Sequence, residues 1–240
     1  MAGHSKWANI KHRKNATDAK RGKIFTRLIR EISIAAREDG GTSNPRLRLA
    51  IEKARTQNMP NENIERAIKR GRGELDGVVY EEVRYEGYAA GGIPIIVDCM
   101  TDNRARTVAD VRYAFNKHNG NLGTDGSVAY LFQSCGLVFF EKSDELARCE
   151  EEIIEKAIEA GALDFKNLSD GSLLITTTPA EFEKVVEEIK KIPLEITEKE
   201  LTMKLIDEIE VEDKTAADAQ RLIDALESID DVQNVYSAID

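Results

Sequence analysis

The sequence predicts an α+β chain: an N-terminal three-helix domain followed by two α/β domains, the last a ferredoxin-like βαββαβ unit inserted into the middle one. Three observations carry this expectation. Apolar residues recur at helical spacing between Lys23 and Gly71. Beyond residue 78 the period switches between 2 and 3.6. Residues 135–198 then present six elements in the order βαββαβ, and removing them leaves ββαβ plus βαβ, a layer that only the C-terminus completes. The expected division is 1–75, then 76–134 with 199–240, with 135–198 as the insertion.

Taken in order, residues 1–22 hold no material for a core. Gly3, Ser5, Asn9 and Asn15 favour an extended or loosely turned arm. From Lys23, the residues Ile24, Phe25, Leu28, Ile29, Ile32, Ala35 and Ala36 fall on one helical face. Lys20, Lys23, Arg27, Arg30 and Arg37 fall on the other, which predicts an almost uniformly cationic surface interrupted mainly by Glu31. Asp39-Gly40-Gly41 ends that helix. Asn44-Pro45 supplies a cap and an N1 proline for a second helix burying Leu47, Ala50, Ile51 and Ala54. A third, short helix runs from about Asn61 and stops at Gly71.

Strands follow near Val79–Tyr88 and Ile93–Cys99, around a turn at Gly91-Gly92. A helix over Arg104–Lys117 and a strand over Ser127–Phe132 come next. The inserted unit reads as strand Leu137–Glu141, helix Asp144–Ala160, strands Ala162–Leu168 and Ser172–Thr177, helix Ala180–Lys190 and strand Leu194–Thr197. One more strand or strand pair (about Leu201–Val211), a helix (Lys214–Ser228) and the strand Val232–Ser237 complete the chain.

Charge is split along this order. Residues 1–75 carry 18 Lys and Arg against 8 Asp and Glu, whereas the whole chain has a net charge of −10. A basic third on an acidic body suggests one end that seeks a polyanion. The candidate contacts there are Lys6, Trp7, Lys11, His12, Arg13, Lys14, Lys20, Arg21, Lys23, Arg27 and Arg30. Basic residues suit phosphates, and one aromatic suits a stacking or wedge contact with a base; Trp7 as an anchor folded onto the following helix is the competing reading. A second candidate is the run 102–107, with Asp102 or Asn103 as helix cap. Arg104 and Arg106 stand in a first helical turn, where cations oppose the helix dipole, so they read as an anion contact. The glycine-bearing loop Asn119–Gly126 is expected to help close it.

Enzyme chemistry has little support. The three His residues lie at 4, 12 and 118, and HExxH, GxSxG and the P-loop pattern are all missing. The loop around Gly120, Gly123 and Gly126 leads into a strand, not a helix, which argues against a nucleotide site. No catalytic residue, metal or cofactor is expected. Cys99, Cys135 and Cys149 lack ligand spacing and read as buried thiols of a reducing, cytoplasmic compartment. No apolar run approaches the ~18 residues of a membrane span, so no membrane partner is expected. The acidic helices repel nucleic acid; a solvated face and a protein-binding role both remain open for them.

The stretches MAGHSKWANIKHRKN, DAKRGKIFTRLIREI, NPRLRLAIEKA, NMPNENIERAIK, YEGYAAGGIPIIVD, TDNRARTVADVR, NLGTDGSVAYLF and DDVQNVY together resemble the YebC/PmpR family over essentially the whole chain. The resemblance implies a bacterial cytosolic protein of three domains, the third inserted in the second. It further implies a probable transcriptional regulator that binds promoter DNA. Members, including mitochondrial translational activators of cytochrome oxidase, are also associated with ribosomes and with synthesis of proline-rich stretches, so rRNA and tRNA are the alternative partners. The chain departs at Ala105, where relatives commonly carry Asn. Its start at MAGHSKW argues against a transit peptide.

Overall fold

The computed structural model describes residues 18–38, 44–207, 209 and 211–238. They form two compact units, one over Tyr130–Glu208, the other combining the residues up to Ala129 with those from Ile209 onward. The mixed α+β architecture expected from the sequence is present: helices first, then two sheets of four antiparallel strands.

In the larger unit the helices are α1 (Asp18–Arg37), α2 (Pro45–Thr56) and α3 (Asn61–Gly71). The Asn44 side chain caps α2 by accepting from the amides of Arg46 and Leu47, and its amide nitrogen donates to the Ala35 carbonyl, tying α2 back to α1. Leu28, Ile32, Leu47, Ala50, Ala54, Met59 and Ile64 form the core. Small residues let α3 approach closely. Ser33 Oγ donates to the Ala67 carbonyl, and a Cβ added to Gly71 would lie 2.1 Å from the Ser33 carbonyl oxygen. Only glycine fits there.

The chain continues through β1 (Glu81–Tyr88), β2 (Pro94–Thr101), α4 (Arg104–Lys117) and the two-residue β3 (Asn121–Leu122). After the second unit it returns as α7 (Asp213–Ser228) and β8 (Val232–Ser237), giving the antiparallel order β3-β1-β2-β8. The apolar run Ile93–Cys99 is long because β2 is central and buried on both faces. Ile95, Val97 and Cys99 pack against Val111, Phe115, Leu222 and Leu226 of α4 and α7. On the opposite face a cleft of about 570 Å³ is bounded by α1, α2, β1, β2 and β8. Its charges are matched: Arg84 makes a bidentate pair with Asp98 at 2.7 and 2.9 Å, and Arg46 bonds Glu38 and Glu82.

The second unit comprises β4 (Phe132–Phe140), α5 (Asp144–Ala160), β5 (Ala162–Asn167), β6 (Leu173–Thr177), α6 (Phe182–Ile189) and β7 (Glu198–Leu205). The order β5-β6-β4-β7, antiparallel throughout, is that of a ferredoxin-like unit. Ser143 caps α5, and Gly161, at φ 105°, ends it in the left-handed region. Val138, Phe140, Ile153, Ile175, Val185 and Ile189 fill the core.

Two expected boundaries are corrected. Ser127–Phe132 is not a separate strand: a single 3₁₀ turn at Ala129–Leu131 leads directly into β4. The strand that follows α6 is Glu198–Leu205 rather than Leu194–Thr197; it takes in the start of the strand expected over about Leu201–Val211, and it pairs with β4 in this unit. The compact unit that holds β4 and β7 spans Tyr130–Glu208. Leu194 and Ile196 pack on the core from the connection after α6, so half-buried apolar residues of a connection read as a strand.

Candidate nucleic-acid interface

Lys6, Trp7, Lys11, His12, Arg13 and Lys14 lie outside the described residues. Lys20 and Arg21 belong to the first turns of α1, and their side chains lie outside what is described. Of the other cations expected on that face, Arg37 is exposed, while Lys23, Arg27 and Arg30 turn to the end of α7. Lys23 Nζ donates to the Ser228 carbonyl at 2.8 Å, Arg27 to the Glu227 carbonyl and Arg30 to the Asp230 carbonyl. Those carbonyls belong to the end of α7 and the turn after it. A helix C-terminus leaves carbonyls without partners and carries partial negative charge, so a row of cations is a fitting cap. The expected cationic face is thus corrected: an α-helical stripe of Lys and Arg satisfies another helix as readily as a phosphate backbone.

Arg30 is only 8% exposed. Its guanidinium lies 5.3 Å from the Tyr80 ring centroid and 3.1 Å from Asp231 Oδ1. Asp231, also buried, gathers several donors. Thr107 Oγ1 and Arg106 Nη2 both approach its Oδ2 to 2.8 Å, and Thr101 Oγ1 stands at 3.1 Å. Burial alone would raise the Asp231 carboxyl, but the hydrogen bonds from Arg106 and Thr107 and the charges of Arg30 and Arg106 outweigh it and hold the group below the ordinary carboxylate range. Arg106 itself is raised by its bonds to Asp231 and Asp102.

The two arginines of the 102–107 run therefore part company. Asn103 is the helix cap, accepting from the Arg106 amide at 3.0 Å. Arg106 is a strut between the start of α4 and the turn before β8. Arg104 stays at the surface, its side chain 64% exposed and 3.8 Å from Glu81. The loop 119–126 does not close over it. Gly123 donates to the Glu86 carbonyl, and the amides of Gly126, Val128 and Ala129 donate to the buried Glu86 carboxylate at 2.7–2.8 Å. Glu81 and Glu86 are five residues apart along β1, so the loop and Arg104 sit roughly 17 Å apart at opposite ends of the strand. Burial pushes the Glu86 carboxyl up, and the three amides more than offset it, leaving it lowered.

Sequence reasoning passed over Arg48, Arg55, Arg66, Lys69 and Arg72, which with the expected Arg37 are exposed on the helical layer; Arg66 pairs with Glu62 at 2.6 Å. Ala36 packs on Gly71 and Asn44 bonds Ala35. Arg37, Arg48 and Arg72 therefore flank one end of the layer. The available signal was their absence from apolar spacing, which marks them as outward-facing.

Among the described residues no group of three or more His, Cys, Asp or Glu is placed to hold a metal ion, and no helix is long and apolar enough to cross a membrane. Cys99 and Cys135 are buried, while Cys149 is half-buried. Burial pushes the Cys99 thiol up to about 12.

Comparison with known proteins places these features in context. Residues 5–74 match the model of the TACO1/YebC protein N-terminal domain, and residues 80–239 that of the TACO1/YebC second and third domain. A probable transcriptional regulatory protein of Nitrosospira multiformis is 58% identical over 239 residues, 99% of this chain and 98% of the relative. One from Nitrosomonas eutropha, likewise so named, is 59% identical with the same coverage. The crystal structure of a conserved hypothetical protein from Aquifex aeolicus superposes with a TM-score of 0.83 at 47% identity, covering 98% of this chain and 96% of that one.

Proposed function

Because the chain belongs to the TACO1/YebC family, we propose that it is a nucleic-acid-binding regulatory protein, a regulator of transcription that contacts DNA through residues 1–75. The observation that carries this reading is the charge balance of that third, 18 Lys and Arg against 8 Asp and Glu, on an otherwise acidic chain. With Lys23, Arg27 and Arg30 engaged at the end of α7, the contacts shift to the arm, Lys6 to Lys14 with Trp7, and to Arg37, Arg55, Lys69 and Arg72 of the helical layer. The arm supplies phosphate contacts and one aromatic for a base; the helical layer supplies further phosphate contacts. Arg104 is a secondary contact, and Arg106 supports it by fixing the start of α4.

The test is fluorescence anisotropy of RNA-free protein on duplex DNA and on an rRNA fragment across a salt series. Affinity for the duplex should fall linearly on a double-logarithmic plot, with a slope of about −0.9 per neutralised phosphate. The Lys11→Glu/Arg13→Glu/Lys14→Glu variant should flatten that slope. Indifference to duplex DNA together with RNase-sensitive sedimentation with ribosomes would move the same cations to rRNA and overturn the transcriptional reading.

A further inference from the structure

We propose that the outer face of α4 is a binding site for single-stranded DNA: the Tyr113 ring is the platform on which one unpaired base stacks, and Arg112 and Lys117 hold the phosphates on either side of it. The inference rests on the reading of the chain as a nucleic-acid-binding protein, but on none of its residues 1–75. Charge sets α4 apart. Residues 76–240 carry 16 Lys and Arg against 36 Asp and Glu, yet α4 holds Arg104, Arg106, Arg112 and Lys117 against Asp110 alone. In α5, α6 and α7 the acids outnumber the bases. A basic helix in an acidic body concentrates the attraction for a polyanion in one place.

The face is defined by what α4 buries. Thr107, Val111, Ala114 and Phe115 pack inward, so at roughly 100° per residue Ala109, Tyr113 and Asn116 turn outward, and all three are exposed. Tyr113 is 65% exposed. Lys117, one turn on, places its Nζ 5.7 Å from the ring centroid. The ammonium covers one face of the ring and leaves the other to solvent. Helical side chains lean toward the N-terminus, so the ring extends over Ala109, which is too small to cover it. Arg112 is exposed on the flank opposite Lys117, and among the described residues it has no hydrogen-bond or ion-pair partner. The one acid, Asp110, falls on the side of Arg106.

These parts suit a single nucleotide. An aromatic ring stacks on any base, but the bases of a duplex are stacked on one another, so the ring takes an unpaired one. The two cations straddle the ring and reach the phosphates that precede and follow the stacked base. Asn116, likewise without a partner among the described residues, brings an amide donor and acceptor toward the base edge. The surroundings of the ring select DNA. Ala105 and Ala109 offer methyl groups, which meet the thymine methyl favourably and give no partner to the 2′-hydroxyl of RNA.

Fluorescence anisotropy of the full chain on a labelled oligothymidylate tests this, beside the same measurement on duplex DNA. Tyr113→Ala should weaken binding of the single strand roughly tenfold. Tyr113→Phe should retain it, and neither change should move the affinity for duplex. Arg112→Gln/Lys117→Gln should make the single-strand salt slope shallower by up to about 1.4, at about 0.7 per phosphate. The three positions are exposed, so circular dichroism should be unchanged. A strand carrying 5-bromodeoxyuridine should photo-crosslink to Tyr113 at saturating protein, in the Lys11→Glu/Arg13→Glu/Lys14→Glu variant as in wild type. A chain that ignores duplex DNA yet holds the single strand through Tyr113 supports this site while the duplex reading fails. Single-strand affinity indifferent to Tyr113→Ala, a crosslink confined to Trp7, or tighter binding of oligouridylate than of oligothymidylate overturns the proposal.

Discussion

Asp231 concentrates the free energy that joins the helical layer to the sheet. Its carboxylate is buried and held by two guanidinium groups and two threonine hydroxyls, so removing one guanidinium leaves a buried charge with half its ionic compensation. Arg30→Ala should cost about 3 kcal/mol of unfolding free energy, the usual consequence of breaking a buried pair from one side; urea denaturation at neutral pH measures it. The same group imposes a pH dependence. Its folded pKa is depressed, so the native state gains stability above the unfolded value of about 3.9. That gain is lost as pH falls through the lower folded value. Asp231→Asn should flatten this acid limb while lowering stability at pH 7. Glu86 acts more locally, since its carboxylate accepts three backbone amides from one loop. Glu86→Gln turns an amide donor toward those amides and should cost about 1–3 kcal/mol. Hydrogen exchange should accelerate first at Gly126, Val128 and Ala129.

Elements were legible wherever burial was one-sided and periodic. The α1 core face, the Asn44-Pro45 start of α2 and the apolar β2 each carry a pattern that only one local structure satisfies. Two things escaped. The first half of β7, Glu-Lys-Glu, is a polar edge with little alternation, so the expected strand began only at about Leu201, whereas the half-buried Leu194 and Ile196 mimic a strand from the connection before it. The cationic face of α1 was visible in spacing, but its partner, the end of α7, lies some 200 residues away in sequence, as in the Arg27–Glu227 and Arg30–Asp230 bonds. No local pattern encodes such a contact. The corrected boundaries change what can be excised. Phe132 pairs with Leu205, and the Ile206 amide donates to the Leu131 carbonyl, so the incoming and outgoing chains lie about 5 Å apart. Replacing 130–208 by a short Gly/Ser linker should leave a remainder that unfolds cooperatively. Removing only 135–198 leaves both halves of the β4–β7 ladder without a core to rest on and should give insoluble or non-cooperative protein. Circular dichroism during thermal unfolding of the two deletions separates these outcomes.

At the scale of the whole molecule, charge and topology coincide. The 130–208 unit carries 19 Asp and Glu against nine Lys and Arg, a balance of −10 that equals the net charge of the entire chain. The rest is neutral in sum, and there the basic first 75 residues are balanced by an acidic remainder. A polyanion approaching the helical layer therefore meets attraction that falls off over about one Debye length, ~10 Å at 0.1 M salt, within a field of opposite sign. If the contacts reside in residues 1–75, deleting 130–208 leaves every contact in place and removes only long-range repulsion. The deleted protein should bind duplex DNA at least as tightly as the full chain at low salt. The two should converge as salt rises, because screening removes the repulsion but not the contacts. Charge reversal on α1 is a poor substitute for this test: Lys23, Arg27 and Arg30 changed to Glu would oppose the end of α7 and Asp231, so lost binding would report lost folding. Arg37→Glu/Arg72→Glu avoids that ambiguity, since both side chains are exposed and the packing beneath them is carried by Ala36 and Gly71. Its midpoint of thermal unfolding should stay within a few degrees of wild type, while affinity drops and the salt slope becomes shallower by up to about two phosphates. Unchanged affinity in that variant, measured beside the arm variant, would remove Arg37 and Arg72 from the polyanion contact and leave it to the arm, Arg55 and Lys69.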